Sequence, residues 1–163
     1  MLRISSLAKV AAATALSAVV GLSANAADRV SDFSLVDHNG KFFQLSRQAN
    51  FDAIVMLAHE DSRDVRRAAS ELADLTEQFA DQNVGFYLID SSGSGDQAEM
   101  REIAEDADID LPILIDEGQL VAAELGITRA TDVVILDPEA KEVVFRGALN
   151  DRWAEGSRSE ERR

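Results

Sequence analysis

Six apolar residues in a row, Ala53-Ile54-Val55-Met56-Leu57-Ala58, run into a polar junction, His59-Glu60-Asp61-Ser62-Arg63-Asp64. Beyond it, apolar residues recur every three or four places: Val65, Ala68, Ala69, Leu72, Thr76 and Phe79. Arg66, Arg67, Ser70, Glu71, Asp74, Glu77 and Gln78 occupy the opposite face. A continuous apolar run suits a central strand covered on both sides. The spacing after it predicts an amphipathic helix that starts at Asp61 or Ser62 and ends near residues 81–83. A buried strand feeding a helix is the unit from which parallel sheets are built, and α/β folds place their chemistry at that junction.

The remaining segments fit around this unit. Residues 33–37 and 41–45 alternate weakly, and Asn39-Gly40 between them is a hairpin turn signal, since both residues tolerate positive φ. His38 in that turn is expected to be solvated. Residues 46–50 read as a connector. A second buried strand is expected over 84–90, then a Ser/Gly loop over 91–95. That loop has no lysine and no nucleotide-binding spacing, so it is not read as a phosphate cradle. A helix over 97–107, an extended segment over 111–116, and a short helix over 119–125 capped by Gly126 come next. Strands over 132–137 and 142–149, joined by a turn at 138–141, complete the order. Alternating βα units imply a parallel core with an antiparallel hairpin added.

The N-terminus carries Arg3 and Lys9, an apolar or small run over 10–22, and Ala24-Asn25-Ala26. This is the three-part pattern of a cleavable export signal over 1–26, too short in its apolar run for a membrane span. A periplasmic or secreted protein is expected, with no stable membrane span after cleavage. Residues 27–153 then form one domain and 154–163 a disordered tail. Trp153 is expected to pack over the end of the sheet. The chain has no cysteine, which rules out disulfides, thiol nucleophiles and thiolate metal sites. Its net charge of −14 argues against nucleic acid and anionic lipid, which require basic patches.

The pattern Phe33-x-Leu35-x-Asp37-x-x-Gly40-x-x-x-x-Leu45, the unit 53–82, the segment Leu111-Pro112-Ile113-Leu114-Ile115-Asp116 with Val121-Ala122 and Leu125-Gly126-Ile127, and the last hairpin resemble the redoxin or AhpC/TSA-like group of the thioredoxin fold. The resemblance spans residues 31–152. It implies an α/β fold: a three-layer α/β/α sandwich with an N-terminal β-hairpin and a mixed central sheet. It also places the group's redox cysteines on Asp61-Ser62-Arg63-Asp64. The cis-proline loop falls on Arg129-Ala130-Thr131, with Thr131 in the proline's place and a trans peptide expected there. No catalytic residue and no cofactor is therefore expected.

A carboxylate at Asp61 is stabilised by the same helix end that acidifies a redox thiol, but it cannot bond covalently. The plainer reading is that Asp61 or Ser62 caps the helix and Asp64 adds first-turn charge. Arg129 reads as an ordinary surface arginine, with a place facing Asp61 across a groove as the sharper alternative. The leading expectation is a non-catalytic accessory protein that binds an unknown periplasmic protein through residues 59–64 and 129–132. The alternative is a metal-binding protein using His59, Glu60, Asp61 and Asp64. A redoxin-type oxidoreductase follows only by fold analogy.

Overall fold

The computed structural model describes residues 28–90, 92–93 and 95–149. The expected export signal, Trp153 and the C-terminal tail lie outside the described residues. The elements are β1 (Asp28–Arg29), β2 (Ser34–Asp37), β3 (Phe42–Gln44), β4 (Ala53–His59), α1 (Arg63–Gln78), β5 (Val84–Asp90), α2 (Gln97–Asp106), β6 (Ile113–Ile115), α3 (Leu120–Glu124), β7 (Asp132–Asp137) and β8 (Glu142–Ala148).

All eight strands form one mixed sheet in the order β1-β8-β7-β4-β5-β6-β2-β3. The apolar run is β4, near the centre as its composition requires. It pairs in parallel with β5, from Ala53 opposite Val84 to His59 opposite Asp90. Parallel β6 extends this core on the far side of β5. The β7–β8 hairpin is antiparallel and lies against the other side of β4. The N-terminal hairpin closes the opposite end, with β2 antiparallel to β6.

Successive residues of a strand face opposite ways, so each strand feeds two cores. Ile54 and Met56 pack on one side with Phe33, Phe43, Val121 and Leu125, beneath α3 and the N-terminal hairpin. Leu57 packs on the other side with Leu72, Leu88 and Met100, beneath α1 and α2. Helices therefore cover both faces, giving three layers. Full burial of Leu57 or Leu72 contributes on the order of 2 kcal/mol each, which is why the apolar stripes decide the layering.

Four local expectations need correction. Helix α1 ends at Gln78, short of residues 81–83. The Phe79 amide bonds the Leu75 carbonyl, the Ala80 and Gln82 amides follow in tighter turns, and the chain bends to enter β5. Phe79 consequently leaves the buried stripe, keeping its ring 6.3 Å from Phe86 but 36% exposed. The connector contains a 3-10 turn, Leu45–Gln48, whose Leu45 is fully buried, and the two-residue β1 was too short to leave a periodic signal.

The fourth correction concerns His38, which is 5% exposed rather than solvated. Pairing of β2 with β6 carries the turn back against the sheet. The His38 amide donates to the Ile113 carbonyl at 2.9 Å, and the Ile113 amide donates to His38 Nδ1 at 3.1 Å. The imidazole thus continues the strand ladder past the end of β2.

Candidate functional site at the carboxyl end of β4

Residues 60–62 carry the chain out of the sheet and into α1. Ser62 is the cap: it has extended backbone dihedrals, and its Oγ accepts from the Val65 amide at 3.3 Å. This satisfies one of the open N–H groups of the first turn. Asp64 adds acidic charge to that turn and is exposed. Asp61 does neither. Its Oδ1 accepts from Arg66 Nη2 at 2.6 Å and from Nε at 3.2 Å. The role of thiolate stand-in on the helix N–H groups is therefore not one that Asp61 fills, because Ser62 already holds the cap and Arg66 holds the carboxylate.

The opposite wall is the loop before β7. Asp132 gathers it: Oδ2 accepts from the Thr128 amide and hydroxyl, each at 3.1 Å, and from the Arg129 amide at 3.0 Å. Arg129 Nη2 lies 3.5 Å from Asp132 Oδ1, so its cation pairs along its own loop rather than facing Asp61. The Thr131 amide donates to the Ala58 carbonyl at 3.2 Å, pinning the loop to β4. Thr131 has φ +78°, a strained setting for a β-branched residue, held by the bonds on either side of it. Among the described residues no peptide bond is cis, in keeping with threonine in the proline's place.

Between these walls lies a cleft of about 290 Å³. Glu60, Arg129 and Ala130 line it together with Gln119, Ala122, Ala123, Ile127 and Thr128. Of the expected groove, then, Glu60, Arg129 and Ala130 are brought to the cleft, while His59, Asp61, Ser62, Arg63, Asp64, Thr131 and Asp132 are not among its lining. Glu60 is the junction residue that faces the loop. The third wall, α3, went unrecognised as part of the site. It is set by Asp116, 3% exposed, whose Oδ2 accepts from the Ala122 amide at 2.7 Å. A Thr four residues before an Asp, as at Thr128 and Asp132, is a local signal that could have found the loop's organiser.

The metal expectation fails on geometry. His59 is fully buried at the end of β4, in register with buried Asp90, whereas Glu60, Asp61 and Asp64 are exposed. Among the described residues no three His, Asp or Glu side chains stand together as a metal set. Burial pushes the His59 pKa below the ordinary histidine value, with nearby Asp90 and Asp61 opposing and Arg66 reinforcing that shift.

The sequence profile of the AhpC/TSA family matches residues 26–145, most of the chain. The chain belongs to the AhpC/TSA family. Solved structures agree on the fold. An uncharacterised conserved protein from Geobacillus kaustophilus is 24% identical, with TM-score 0.66, over 77% of this chain and 69% of that one. The peroxidoxin BcpB from Mycobacterium tuberculosis is 23% identical, with TM-score 0.62, over 75% of this chain and 84% of that one. The exposed lipoprotein thioredoxin from Streptococcus pneumoniae is 18% identical, with TM-score 0.62, over 80% and 99% respectively. No curated protein sequence matches the chain. This AhpC/TSA member thus keeps the thioredoxin-like α/β fold, with its mixed sheet and flanking helices, and has no cysteine. Among its described residues, no helix is long and apolar enough to cross a membrane.

Proposed function

We propose that this AhpC/TSA member is an exported accessory protein that holds another protein non-covalently in the cleft between Glu60 and residues 128–130. The observation that carries this reading is the combination of a maintained cleft with a chain that contains no thiol. Thiol–disulfide exchange and thiol peroxidation both begin with a sulfur nucleophile, so neither is open to it. What remains is recognition: a concave wall of small residues, Ala122, Ala123 and Ala130, flanked by one carboxylate and one guanidinium. Residues 61–64 belong to the helix start beside this cleft and would touch a partner at its rim. Export rests on the N-terminal charge-apolar-small pattern, and the partner is expected in the same compartment.

A photo-crosslinking amino acid at Ala130, compared with one at Glu139 in the β7–β8 turn, tests the cleft. Adducts at 130 that disappear with Glu60→Arg, and none at 139, are the expected result. Equal labelling at both positions would overturn the cleft as the docking site. Insulin reduction and hydrogen peroxide consumption should both be blank, and a clear rate in either would overturn the non-catalytic reading.

A further inference from the structure

A second cleft, of about 400 Å³, lies where the β2–β3 turn meets α2. Its lining includes His38, Asn39, Arg101, Glu105, Asp108 and Asp110. The seam behind it is closed by unusual means. Strand β2 pairs with β6 at only two positions, Val36 with Ile115 and Asp37 with Leu114. Beyond them the ladder is continued by His38 alone, with its amide on the Ile113 carbonyl and its Nδ1 on the Ile113 amide. Arg101 Nη2 donates to the His38 carbonyl at 3.2 Å, and Gln97 Nε2 to the Asp37 carbonyl at 3.4 Å, tying α2 to the same turn. His38 Nε2 lies 2.9 Å from the Asn39 side-chain amide; with Nδ1 accepting, Nε2 carries the ring's hydrogen, and the amide must turn its oxygen toward it to receive the bond.

We infer that His38 is an acid-released latch: its imidazole holds the N-terminal hairpin against β6 only while Nδ1 is free to accept, and protonation opens this seam ahead of the rest of the sheet. A protonated Nδ1 is a donor and would point an N–H at the N–H of Ile113. The bond is lost, the amide is left without an acceptor, and a cation is enclosed where only 5% of the residue is exposed.

Charged groups reach the ring from each side. Asp37, in its own turn, favours the cation, although Asp37 Oδ1 is already engaged by the Asn39 and Lys41 amides at 2.9 and 2.8 Å. Arg101 of α2 opposes it. Glu105 of α2 and Asp108 and Asp110 beyond it line the open side of the cleft, where water screens them. Lys41 closes the turn from below, and β6 presents only Ile113, Leu114 and Ile115. Burial is the largest influence and pushes the ring's pKa below the ordinary histidine value, outweighing Asp37 and the Ile113 backbone, which both favour the cation.

Amide hydrogen exchange on the full chain, corrected for intrinsic rates, tests the latch at about pH 7.5 and about pH 5.5, a range in which ordinary carboxylates stay ionised. Protection of the Ile113 amide should fall by about tenfold, the scale of one hydrogen bond, while β4–β7 amides such as that of Leu57 keep theirs. In His38→Asn the side-chain oxygen replaces Nδ1 as acceptor without titrating, so protection should not change between the two conditions. In His59→Asn, which removes the only other histidine, the drop should persist. Unchanged protection of Ile113 in the wild type, a uniform loss across the sheet, or a drop that survives in His38→Asn would each overturn the proposal. Should His38→Asn fail to fold, the wild type decides: the NMR titration midpoint of the His38 ring must coincide with the loss of Ile113 protection, and two separate midpoints would overturn it.

Discussion

The two ends of the sheet handle polar groups in opposite ways. In the junction and loop beyond the carboxyl end of β4, outside the buried His59 and Asp90, polar groups are satisfied by near neighbours in sequence: Asp61 by Arg66, the Val65 amide by Ser62, Arg129 by Asp132. At the β2–β6 seam polar groups are buried and mostly satisfied over long separations, the His38 ring by the Ile113 amide, the His38 carbonyl by Arg101 and the Asp37 carbonyl by Gln97, while the Asp37 carboxylate is held locally by the Asn39 and Lys41 amides. The first can be altered at its exposed helix-start residues with small effects, Thr131 in the facing loop being the exception. The second is a shared network in which removing one member strands another. The end where the resemblance places the redox residues is thus the more tolerant one at its surface, and the hairpin seam the demanding one.

Perturbing each end should show the difference. The largest effect is expected where the tolerant end has its one strained point. Thr131→Pro, which restores the residue type the family resemblance places there, must move φ from +78° toward about −65° and removes the amide that holds Ala58, costing about 3 kcal/mol in a denaturant melt. Next comes the seam. His38→Ala leaves the Ile113 amide without its acceptor, and a loss of about 2–3 kcal/mol is expected from a shift in the urea midpoint. A change below ~0.5 kcal/mol, the scale of an ordinary surface substitution, would mean that the seam is no more demanding than the surface.

Acid acts on one buried histidine in each region, His38 at the seam and His59 at the end of β4. Both histidines are buried with pKa values held below 6.5. Below pH 6.5 the unfolded chain therefore binds more protons than the native one, and stability rises with pH through that window. The contribution is complete above 6.5 and is lost as pH falls below it. Urea midpoints should accordingly decline between pH 6.5 and 5.5, and the double variant His38→Asn/His59→Asn should flatten the decline. The smallest effects belong to the helix start. Ser62→Ala should cost about 1 kcal/mol as a lost cap. Asp61→Ala, which breaks a pair whose partners are each nearly half exposed, should cost at most a few tenths, about the value of a surface ion pair.

What the sequence disclosed follows the same division. The apolar run of β4, the stripe of α1, the Asn39-Gly40 turn and the order of elements were legible because each is written in a window of a few residues. The resemblance supplied the layers. The burial of His38 was not legible, because it depends on which strand β2 pairs with, and nothing near residue 38 names β6. The same holds for Asp116 and Asp90, which resemble ordinary loop acids until the sheet closes around them. At the site, local rules left the cap between Asp61 and Ser62, and the fold selects Ser62, with Asp64 in the first turn; the alternative in which Arg129 faces Asp61 is pre-empted by their local partners, Asp132 and Arg66.

The loop fastened by Asp132 has a bearing on whether this chain could take up thiol chemistry. Two codon changes at 61 and 64 would put sulfur where the resemblance places the redox pair, but the first would stand outside the helix turn, behind a serine that already occupies the dipole's end. The facing strap would still hold threonine in a left-handed twist, secured by one acid four residues from its far anchor. Gaining that chemistry would mean rewriting both lips of the cleft together.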